Sequence, residues 1–405
     1  MPATPGCVPL APDVQPPVLL PPERQPVIIA ARRTPVCPVN GALRSLRAHE
    51  LLAPVLRELA AVALDPASVT DVVIGNAVGG GGNVARLALL EAGLPAAVPG
   101  ITVDRQCGSG LDAIVLAARL VAADGGPLYV AGGVESTSTA PLRAHRKDDG
   151  GPEFYRRAQF VPDSFGDPDM GVAAETVAGA YGVARERQDA FALASHRKAL
   201  AAIRAGRFTD ELVPLETPAG TVSVDGGPRA GLTPTVMARF RAAFVPGGTV
   251  TAGNSCFDAD AASAVVVTSL ARARLLGVRD GLLVRGTGTA GVAPQVLGMG
   301  AVPAARGVLA AAGVKSGELD LVEFNEAFAS QTLACLDELG IDPGRANLDG
   351  GALALGHAYG ASGAVLVTRL LAQARRAGTE GALGLAMISM AGGMGTAALL
   401  EYRRL

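Results

Sequence analysis

Short apolar runs typical of buried strands alternate along this chain with longer stretches whose hydrophobic residues follow a helical period. Strands are predicted within Val27–Val36, at the start of Val69–Asn83 and in Pro127–Ser136, and helices over Leu51–Leu64 and Val84–Ala92. Because strands and helices alternate and the strands are almost wholly apolar, the pattern predicts an α/β protein with a largely buried sheet.

The region 143–247 breaks this pattern. It is more polar, contains the charge-rich stretch RAHRKDDGGPEFYRRAQF, and carries a long amphipathic helix predicted over Glu186–Ala205. The strand–glycine–helix pattern resumes after it, in TVTAGNSCFDADAASAVVVTS. We therefore predict an inserted loop lobe at 143–247 that does not continue the sheet.

The second part of the chain resembles the first. DRQCGSGLDAIVLAARLV is followed by YVAGGVES, and AYGASGAVLVTRLLAQ is followed by MISMAGGMGT. In both places a turn similar to Gly-Ser-Gly opens an apolar helix, and a strand then ends in Ala-Gly-Gly. We predict two similar halves, 27–142 plus 248–275 and 276–405, at a spacing far too long for a solenoid repeat.

Length and charge limit the possible partners. The chain has 405 residues and a formal net charge of -2, so it is long enough for two or three domains and carries no basic excess. Neither nucleic acid nor an anionic membrane is expected as a partner. Residues 1–26 are interrupted throughout by prolines and are predicted to form a disordered extension, and no stretch is typical of a transmembrane helix.

The cysteines are scattered singly along the chain: Cys7, Cys37, Cys107, Cys256 and Cys335. No CxxC pair and no metal-ligand spacing occurs among them, so no metal site is expected. Without a secretory signal pattern, reduced thiols and a cytoplasmic location are the simplest interpretation.

Cys107 lies in VDRQCGSGLDAI, between a strand-like run and a predicted helix. A helix N-terminus favours a thiolate, because its free N–H groups and dipole are positive there. Gly108 and Gly110 leave room for a substrate to approach the backbone. The alternative is a small buried cysteine at a strand end, and this segment alone does not decide between the two.

Of the four histidines, His357 has the most unusual surroundings. His49 and His196 lie in amphipathic helices, which favours a surface or interface position, and His145 lies in a charged run. His357 occurs in GGALALGHAYGASGA, which is almost free of other polar side chains. An imidazole there is a candidate base for a cysteine nucleophile.

The stretch EFNEAFASQ places Asn325 and Glu326 at a predicted strand-to-helix turn. An amide there can position a water or a carbonyl oxygen, but an ordinary helix N-cap is the simpler interpretation of this stretch alone. Nucleotide-dependent hydrolases and dehydrogenases are not favoured, because no GxxxxGK[ST] occurs and VIGNAVGGGGN lacks a full GxGxxG pattern.

Taken together, these segments resemble the thiolase family of acyl-CoA acyltransferases from about residue 27 to the end. The resemblance rests on VDRQCGSGLDA, GGVESTSTAP, NEAFASQ, GGALALGHAYGASGA, AGGMGTAALLE and, in the lobe, AETVAGAYGVARERQDAFALASHRKA. It implies two similar α/β halves in a five-layer αβαβα arrangement, with the loop lobe over the active site. It also implies a homodimer or homotetramer.

The resemblance further implies a role for each motif residue. Cys107 would accept the acyl group from coenzyme A and His357 would activate the thiol, while Asn325, through a water, and His357 would hold the enolate oxygen. Backbone N–H groups near Cys107 and at Ala391 or Gly393 would hold the other oxyanion. Coenzyme A thioesters would be substrates, bound partly by the lobe, with no tightly bound cofactor.

The chain departs from the family pattern in the same presumed pocket. Ser389 stands where the family has a second catalytic cysteine, and Ala391 where it has glycine. A serine hydroxyl needs a strong neighbouring base to exchange its proton, so we expect α-proton removal to be impaired. The other departures and pocket candidates are Ala358 in place of proline, Cys256 and Phe257 in place of small residues, and Asp169 beside Met170 where short-chain members often have histidine.

Three functions remain open from the sequence. The first is a thiolase-like C-acyltransferase that condenses or thiolyses acetoacetyl- or 3-oxoacyl-CoA through acyl-Cys107. The second is an altered acyltransferase, for example one that obtains its carbanion by decarboxylation and therefore tolerates Ser389. The third is a coenzyme A-binding or assembly subunit without catalysis.

Overall fold

The computed structural model describes residues 20–63 and 65–405, so most of the predicted N-terminal extension lies outside the described residues. The strands are β1 Pro26–Arg33, β2 Cys37–Pro38, β3 Asp71–Gly75, β4 Gly100–Val103, β5 Leu128–Ser136, β6 Arg143–Arg146, β7 Pro152–Tyr155, β8 Leu215–Thr217, β9 Gly220–Val222, β10 Ala259–Ser269, β11 Asp280–Gly291, β12 Leu321–Phe324, β13 Leu383–Met390 and β14 Met394–Arg404.

The α-helices follow the same chain order. They are α1 Ala48–Ala60, α2 Val84–Glu91, α3 Ser109–Ala122, α4 Met170–Ala180, α5 Arg185–Arg204, α6 Pro234–Met237, α7 Leu270–Leu275, α8 Ala301–Ala312, α9 Ala329–Leu339, α10 Ala352–Leu355 and α11 Tyr359–Ala377. The α/β class predicted from the sequence is confirmed by this order and by the mixed sheet that the strands form.

The main sheet has the order β12-β13-β14-β11-β1-β10-β5-β3-β4, and β2 pairs with β10. The same arrangement occurs twice in it. At one end β4, β3 and β5 are parallel and β10 and β1 follow antiparallel; at the other, β12 and β13 are parallel and β14 and β11 follow antiparallel. Helix α3 leads into β5 as helix α11 leads into β13, which matches the internal similarity of the sequence.

Side chains alternate along the strands and so separate the helices into layers. Val72 and Ile74 of β3 belong to the core formed with α1 and α2, whereas Val73 faces α3. Leu385 of β13 faces α8 and α9, whereas Ile388 faces the layer of α3 and α11. The two parts of the sheet therefore enclose α3 and α11, and the predicted five layers are present.

Glycines allow the two central helices to approach closely at their N-termini. A Cβ on Gly110 would lie 2.4 Å from the carbonyl oxygen of Gly360, and one on Gly133 would lie 1.8 Å from the same oxygen. These separations are far below van der Waals contact, so only glycine fits. This approach brings the segments around Cys107 and His357 together.

The region 143–247 contains two hairpins, β6–β7 and β8–β9, outside the main sheet, together with α4, α5 and α6. Buried charges tie it to the rest of the chain. Arg33 of β1 donates to Glu211 at 2.8 Å and to Asp225 at 2.6 Å, and Arg369 of α11 donates to the same Glu211 at 2.7 Å. The limits of the lobe and of the two halves remain predictions.

Some predicted boundaries were wrong. The first helix begins at Ala48 and ends at Ala60, followed by a 3₁₀ turn to Ala63, whereas the end predicted at Leu64 lies outside the described residues. Residues 20–25 contain a turn and Pro26 already begins β1, so the disordered extension predicted to residue 26 extends too far. Among the described helices, none combines the length and apolar character that crossing a bilayer requires.

Candidate active site

Cys107 is half-buried, two residues before α3 begins. The preceding loop is held by Ser109, whose hydroxyl donates to the Gln106 carbonyl at 2.6 Å and accepts from the Arg105 N–H at 2.8 Å. Gln106 takes a φ of 50°, in the left-handed region that few side chains adopt. The predicted position at a helix N-terminus is therefore present, and the loop before it is tightly fixed.

The helix N-terminus favours a thiolate, but by itself it does not lower the pKa of Cys107. Burial raises the pKa of Cys107 to about 12, and the nearby carboxylates of Glu135 and Asp258 also raise it, although a backbone N–H from Ala391 opposes them. Desolvation outweighs the helix dipole here. The thiol needs a base at the moment of reaction.

His357 lies in an extended segment paired with the residues before β10. Its N–H donates to the Phe257 carbonyl at 2.9 Å, and its carbonyl accepts from the Ala259 N–H at 3.2 Å. On the ring, Nδ1 lies 2.8 Å from the Ser362 hydroxyl, while Nε2 is buried with no hydrogen-bond partner among the described residues. Burial lowers the pKa of His357 to about 4, so the imidazole is neutral at physiological pH.

Asn325 follows β12 directly, and its N–H donates to the Met387 carbonyl of β13 at 3.2 Å. Its side-chain Nδ2 is buried and has no partner among the described residues. The N-cap interpretation was wrong, because Phe328 occupies that position. Glu326 instead supports the loop by accepting from Ser195 at 2.6 Å and from Asn347, and its pKa is raised by burial.

Ser389, which the resemblance places where the family has a second cysteine, is almost fully buried near the end of β13. Its hydroxyl donates to the Gly298 carbonyl at 2.6 Å and accepts from the Ala301 N–H at 3.0 Å. Its only proton is therefore directed at a backbone carbonyl, at the start of α8.

The turn after β13 forms one wall around the cysteine. Besides the Ala391 N–H that meets Cys107, Met390 packs over the helix N-terminus, where a Cβ on Gly108 would lie 2.3 Å from its sulfur. Gly393 has a φ of 80°, and its carbonyl accepts from the Val292 N–H at 2.7 Å. Gly393 therefore shapes this turn.

Cys256 and Phe257 precede β10. The Cys256 N–H donates to the Ala327 carbonyl at 2.9 Å, which joins this segment to the asparagine loop. Burial raises the pKa of the Cys256 thiol above its ordinary range, and the nearby Cys107 and Asp258 add to this. The Phe257 ring packs where a Cβ on Gly227 or Gly356 would lie, and so connects the lobe with the histidine loop.

Met170 begins α4 in the lobe and is half-buried. The adjacent Asp169 is exposed and accepts from Arg157 at 2.9 Å, while Ala358 is buried beside Val36. The described contacts of Met170 and Asp169 do not join either residue to the cysteine.

Sequence reasoning missed one pair of residues. The Tyr359 hydroxyl donates to Asp258 at 2.5 Å, and the Tyr359 and His357 rings meet edge to face at 5.1 Å between centroids. Tyr359 was recognised as a residue of the histidine motif, but nothing in the sequence connected it with Asp258. Residues 101 positions apart are joined by the fold alone.

The other histidines lie apart from this cluster. His145 is exposed and stacks on Tyr155, as expected for a solvated residue. A surface or interface position was predicted for His196, and the surface alternative was wrong. His196 is buried, accepts from the Arg229 N–H at 3.1 Å, and has its pKa lowered to about 4 by burial. In the described part of the chain, no group of three or more metal-ligating side chains converges.

Comparison with known families agrees with this geometry. The family described as "Thiolase, N-terminal domain" matches residues 26–271, and "Thiolase, C-terminal domain" matches residues 282–402. The chain belongs to the thiolase family.

Individual relatives cover nearly the whole chain. A protein of Staphylococcus haemolyticus named "Putative acetyl-CoA C-acetyltransferase VraB" is 42% identical over 386 residues, covering 94% of this chain and 100% of that protein. A protein of the same name from Staphylococcus aureus is 40% identical over 380 residues, covering 93% and 98%. The crystal structure of the Bacillus anthracis acetyl-CoA acetyltransferase matches with a TM-score of 0.86 at 34% identity, covering 94% of this chain and 99% of that one.

The protein is therefore a thiolase-like acyl-CoA C-acyltransferase. Of the three functions left open by the sequence, this is the first. Decarboxylative chemistry and a non-catalytic assembly role are not favoured by these relatives. Coenzyme A thioesters are the substrates of this family, without a tightly bound cofactor.

Proposed function

We propose that the protein transfers an acetyl group through an acyl-Cys107 intermediate, in condensation of two acetyl-CoA molecules or thiolysis of a 3-oxoacyl-CoA. Two observations support this. Cys107 meets the Ala391 N–H and lies near Tyr359, whose ring contacts that of His357, and two buried nitrogens, His357 Nε2 and Asn325 Nδ2, have no partner among the described residues. Buried polar atoms without partners are rare, and here they have the chemistry that an acyl transfer requires.

His357 is the base that removes the Cys107 proton. Its neutral imidazole, with Nδ1–H donating to Ser362, leaves Nε2 as an acceptor for the thiol proton. The same nitrogen, once protonated, returns the proton to the departing coenzyme A thiolate. Because the resting thiol is protonated, acylation and proton transfer are coupled in one step.

Two donor pairs stabilise the oxyanions. The Ala391 N–H, together with the backbone N–H at Cys107, faces the acyl oxygen as the thioester carbon becomes tetrahedral. Asn325 Nδ2 binds a water that, with His357 Nε2, holds the enolate oxygen of the second acetyl-CoA. The lobe, 143–247, binds the pantetheine and nucleotide parts of coenzyme A.

A homodimer or homotetramer assembled through the sheet edge fits the surface. β4 ends the described sheet, and Ile101 on it is 43% exposed beside the exposed Leu87 and Leu90 of α2. An unpaired apolar edge strand is a pairing surface, and this one leads directly into the Cys107 loop. A cytoplasmic location fits the free thiols of the described cysteines.

Intact-protein mass spectrometry after incubation with acetyl-CoA tests the proposal. We expect an acetyl increment in the wild type that is absent in Cys107→Ala. The matched control is Cys37→Ala, which removes a buried thiol in β2 outside the cluster and is expected to keep the increment. An increment that persists in Cys107→Ala would exclude Cys107 as the acyl carrier.

A further inference from the structure

The second half of the reaction lacks an evident base. Condensation requires that a proton leave the α-carbon of the second acetyl-CoA, and the family's cysteine for this step is replaced by Ser389. That hydroxyl already donates to the Gly298 carbonyl and accepts from the Ala301 N–H. Ser389 is therefore a structural link between β13 and α8 rather than a free proton acceptor.

An acidic side chain without a cationic partner lies beside the reaction centre. Asp258 is solvent-exposed, and in the described part of the chain its carboxylate has the Tyr359 hydroxyl as its one hydrogen-bond donor and forms no ion pair. The backbone of Asp258 pairs with that of His357, so the carboxylate is anchored to the histidine loop. Tyr359 in turn packs its ring against the His357 imidazole.

The position of this charge is unfavourable for the first half of the reaction. Asp258 raises the pKa of Cys107 and of Cys256, because a negative charge opposes the formation of a second one nearby. A neutral residue would make acylation easier. A carboxylate that hinders the nucleophile and pairs with no cation indicates a role in the step that follows acylation.

We propose that Asp258 is the base that removes the α-proton in the condensation step, with Tyr359 as the residue that positions it. This assignment rests on the proposed acyl-Cys107 chemistry. The Tyr359 hydroxyl holds Oδ1, which leaves Oδ2 available for the substrate. A carboxylate held in one orientation is an effective general base even against a carbon acid, provided that the enolate oxygen is stabilised.

The step balances without a further reactant. Asp258 takes the α-proton, and the electron pair of the C–H bond forms the enolate, whose carbon attacks the acyl carbon of acyl-Cys107. The new C–C bond forms as the C–S bond to Cys107 breaks, and the electron pair remains on sulfur. The proton then passes from Asp258 to the Cys107 thiolate, which restores both groups, and thiolysis follows the same path in reverse.

The test separates the two half-reactions on the full-length chain. Acylation is followed by intact mass after rapid mixing with acetyl-CoA, and α-proton removal by deuterium incorporation into the acetyl-CoA methyl group in D₂O. Asp258→Asn is expected to lower deuterium incorporation by about 10²–10³-fold while acylation stays equal or becomes faster. Tyr359→Phe is expected to lower it about 10-fold through kcat, with the KM for acetyl-CoA unchanged.

Two further variants serve as controls. Asp258→Glu retains a carboxylate and is expected to keep deuterium incorporation within about 10-fold of the wild type, which distinguishes loss of the base from loss of the fold. Asp124→Asn makes the same change at an exposed aspartate just after α3, at the opposite end of that helix from Cys107 and outside the lobe, and should alter neither half-reaction.

The outcomes are distinct. Normal acylation with deuterium incorporation in Asp258→Asn within threefold of the wild type would overturn the assignment of Asp258 alone. A change confined to which acyl chain lengths acylate Cys107 would also overturn it, in favour of a specificity role. A wild-type protein that is not acylated at Cys107 would overturn the proposed function and this assignment together.

Discussion

The Ser389 hydroxyl donates to the Gly298 carbonyl at 2.6 Å and thereby fixes the end of β13 to the turn that precedes α8. The same oxygen accepts from the first N–H of that helix, at Ala301. A side chain that forms hydrogen bonds with two buried backbone groups contributes to stability, because each group would otherwise lack a hydrogen-bond partner. The hydroxyl that the resemblance aligns with the family's second catalytic thiol thus links β13 to α8 in this chain.

Ser389→Cys is expected to raise thiolysis of a 3-oxoacyl-CoA, because a thiol can exchange its proton near neutral pH. We expect a gain of about 10-fold, larger in the Asp258→Asn background, and a loss of about 1–2 kcal/mol in unfolding free energy because sulfur is a weaker hydrogen-bonding partner. Steady-state thiolysis and urea unfolding measure the two effects. Ser389→Ala should show the stability loss without the gain, and no gain in Ser389→Cys in either background would show that a thiol at this position takes no part in α-proton transfer.

The rate of Cys107 acylation should fall only at an unusually low pH. Burial lowers the pKa of His357 to about 4 from 6.5, and the neutral imidazole is the active base. As the pH falls, acylation should therefore persist to about pH 5 and decline only as His357 is protonated near 4. Rates of acetyl transfer to Cys107, measured by quenched intact mass at each pH, test this. A decline centred near pH 6.5 would show that substrate binding leaves the imidazole solvated.

Much of the arrangement could be predicted from the sequence because it depends on local chemistry. Cys107 and Asn325 were placed at their turns from strand and helix periodicity, and His357 from the apolar loop around it. The protonation state of Cys107 could not be predicted from the sequence. It follows from burial near Glu135 and Asp258, which lie in other segments of the chain. A helix N-terminus is visible in a sequence, whereas the solvation of the group in front of it is not.

The same limit explains the role of Ser389. Family resemblance identified its position, but its two hydrogen bonds go to residues about 90 positions earlier, and no pattern in the sequence reports them. The pairing of Tyr359 with Asp258 is hidden for the same reason.

Glu323 should make the free energy of unfolding fall as the pH rises. It is fully buried, accepts from Gln373 at 2.7 Å, and burial raises its pKa to about 8 from 4.5. The folded state therefore binds a proton that the unfolded state releases above pH 4.5. This contribution is complete below pH 4.5 and is lost as the pH rises through 8.

Glu323→Gln keeps the shape of the side chain without a charge. Between pH 5.5 and 8.5 the wild type should lose more unfolding free energy in urea than this variant, and the difference reports Glu323 because other titrating groups are common to both proteins. Equal losses in the two proteins would mean that Glu323 is stabilised as a carboxylate by the buried Arg369.

Gly110→Ala should be severely destabilising, because the central helices touch through this residue. The added methyl would lie 2.4 Å from the Gly360 carbonyl oxygen and 3.0 Å from the Ala364 nitrogen, both backbone atoms that cannot rotate away. We expect a loss of about 3 kcal/mol or more in urea unfolding, together with loss of Cys107 acylation because α3 must shift. The matched control is Gly307→Ala in α8, where a Cβ meets nothing within 4 Å and the better helix propensity of alanine should add about 0.5–1 kcal/mol. If the two variants unfolded at the same urea concentration, the close contact of α3 and α11 would not be what holds Cys107 and His357 together.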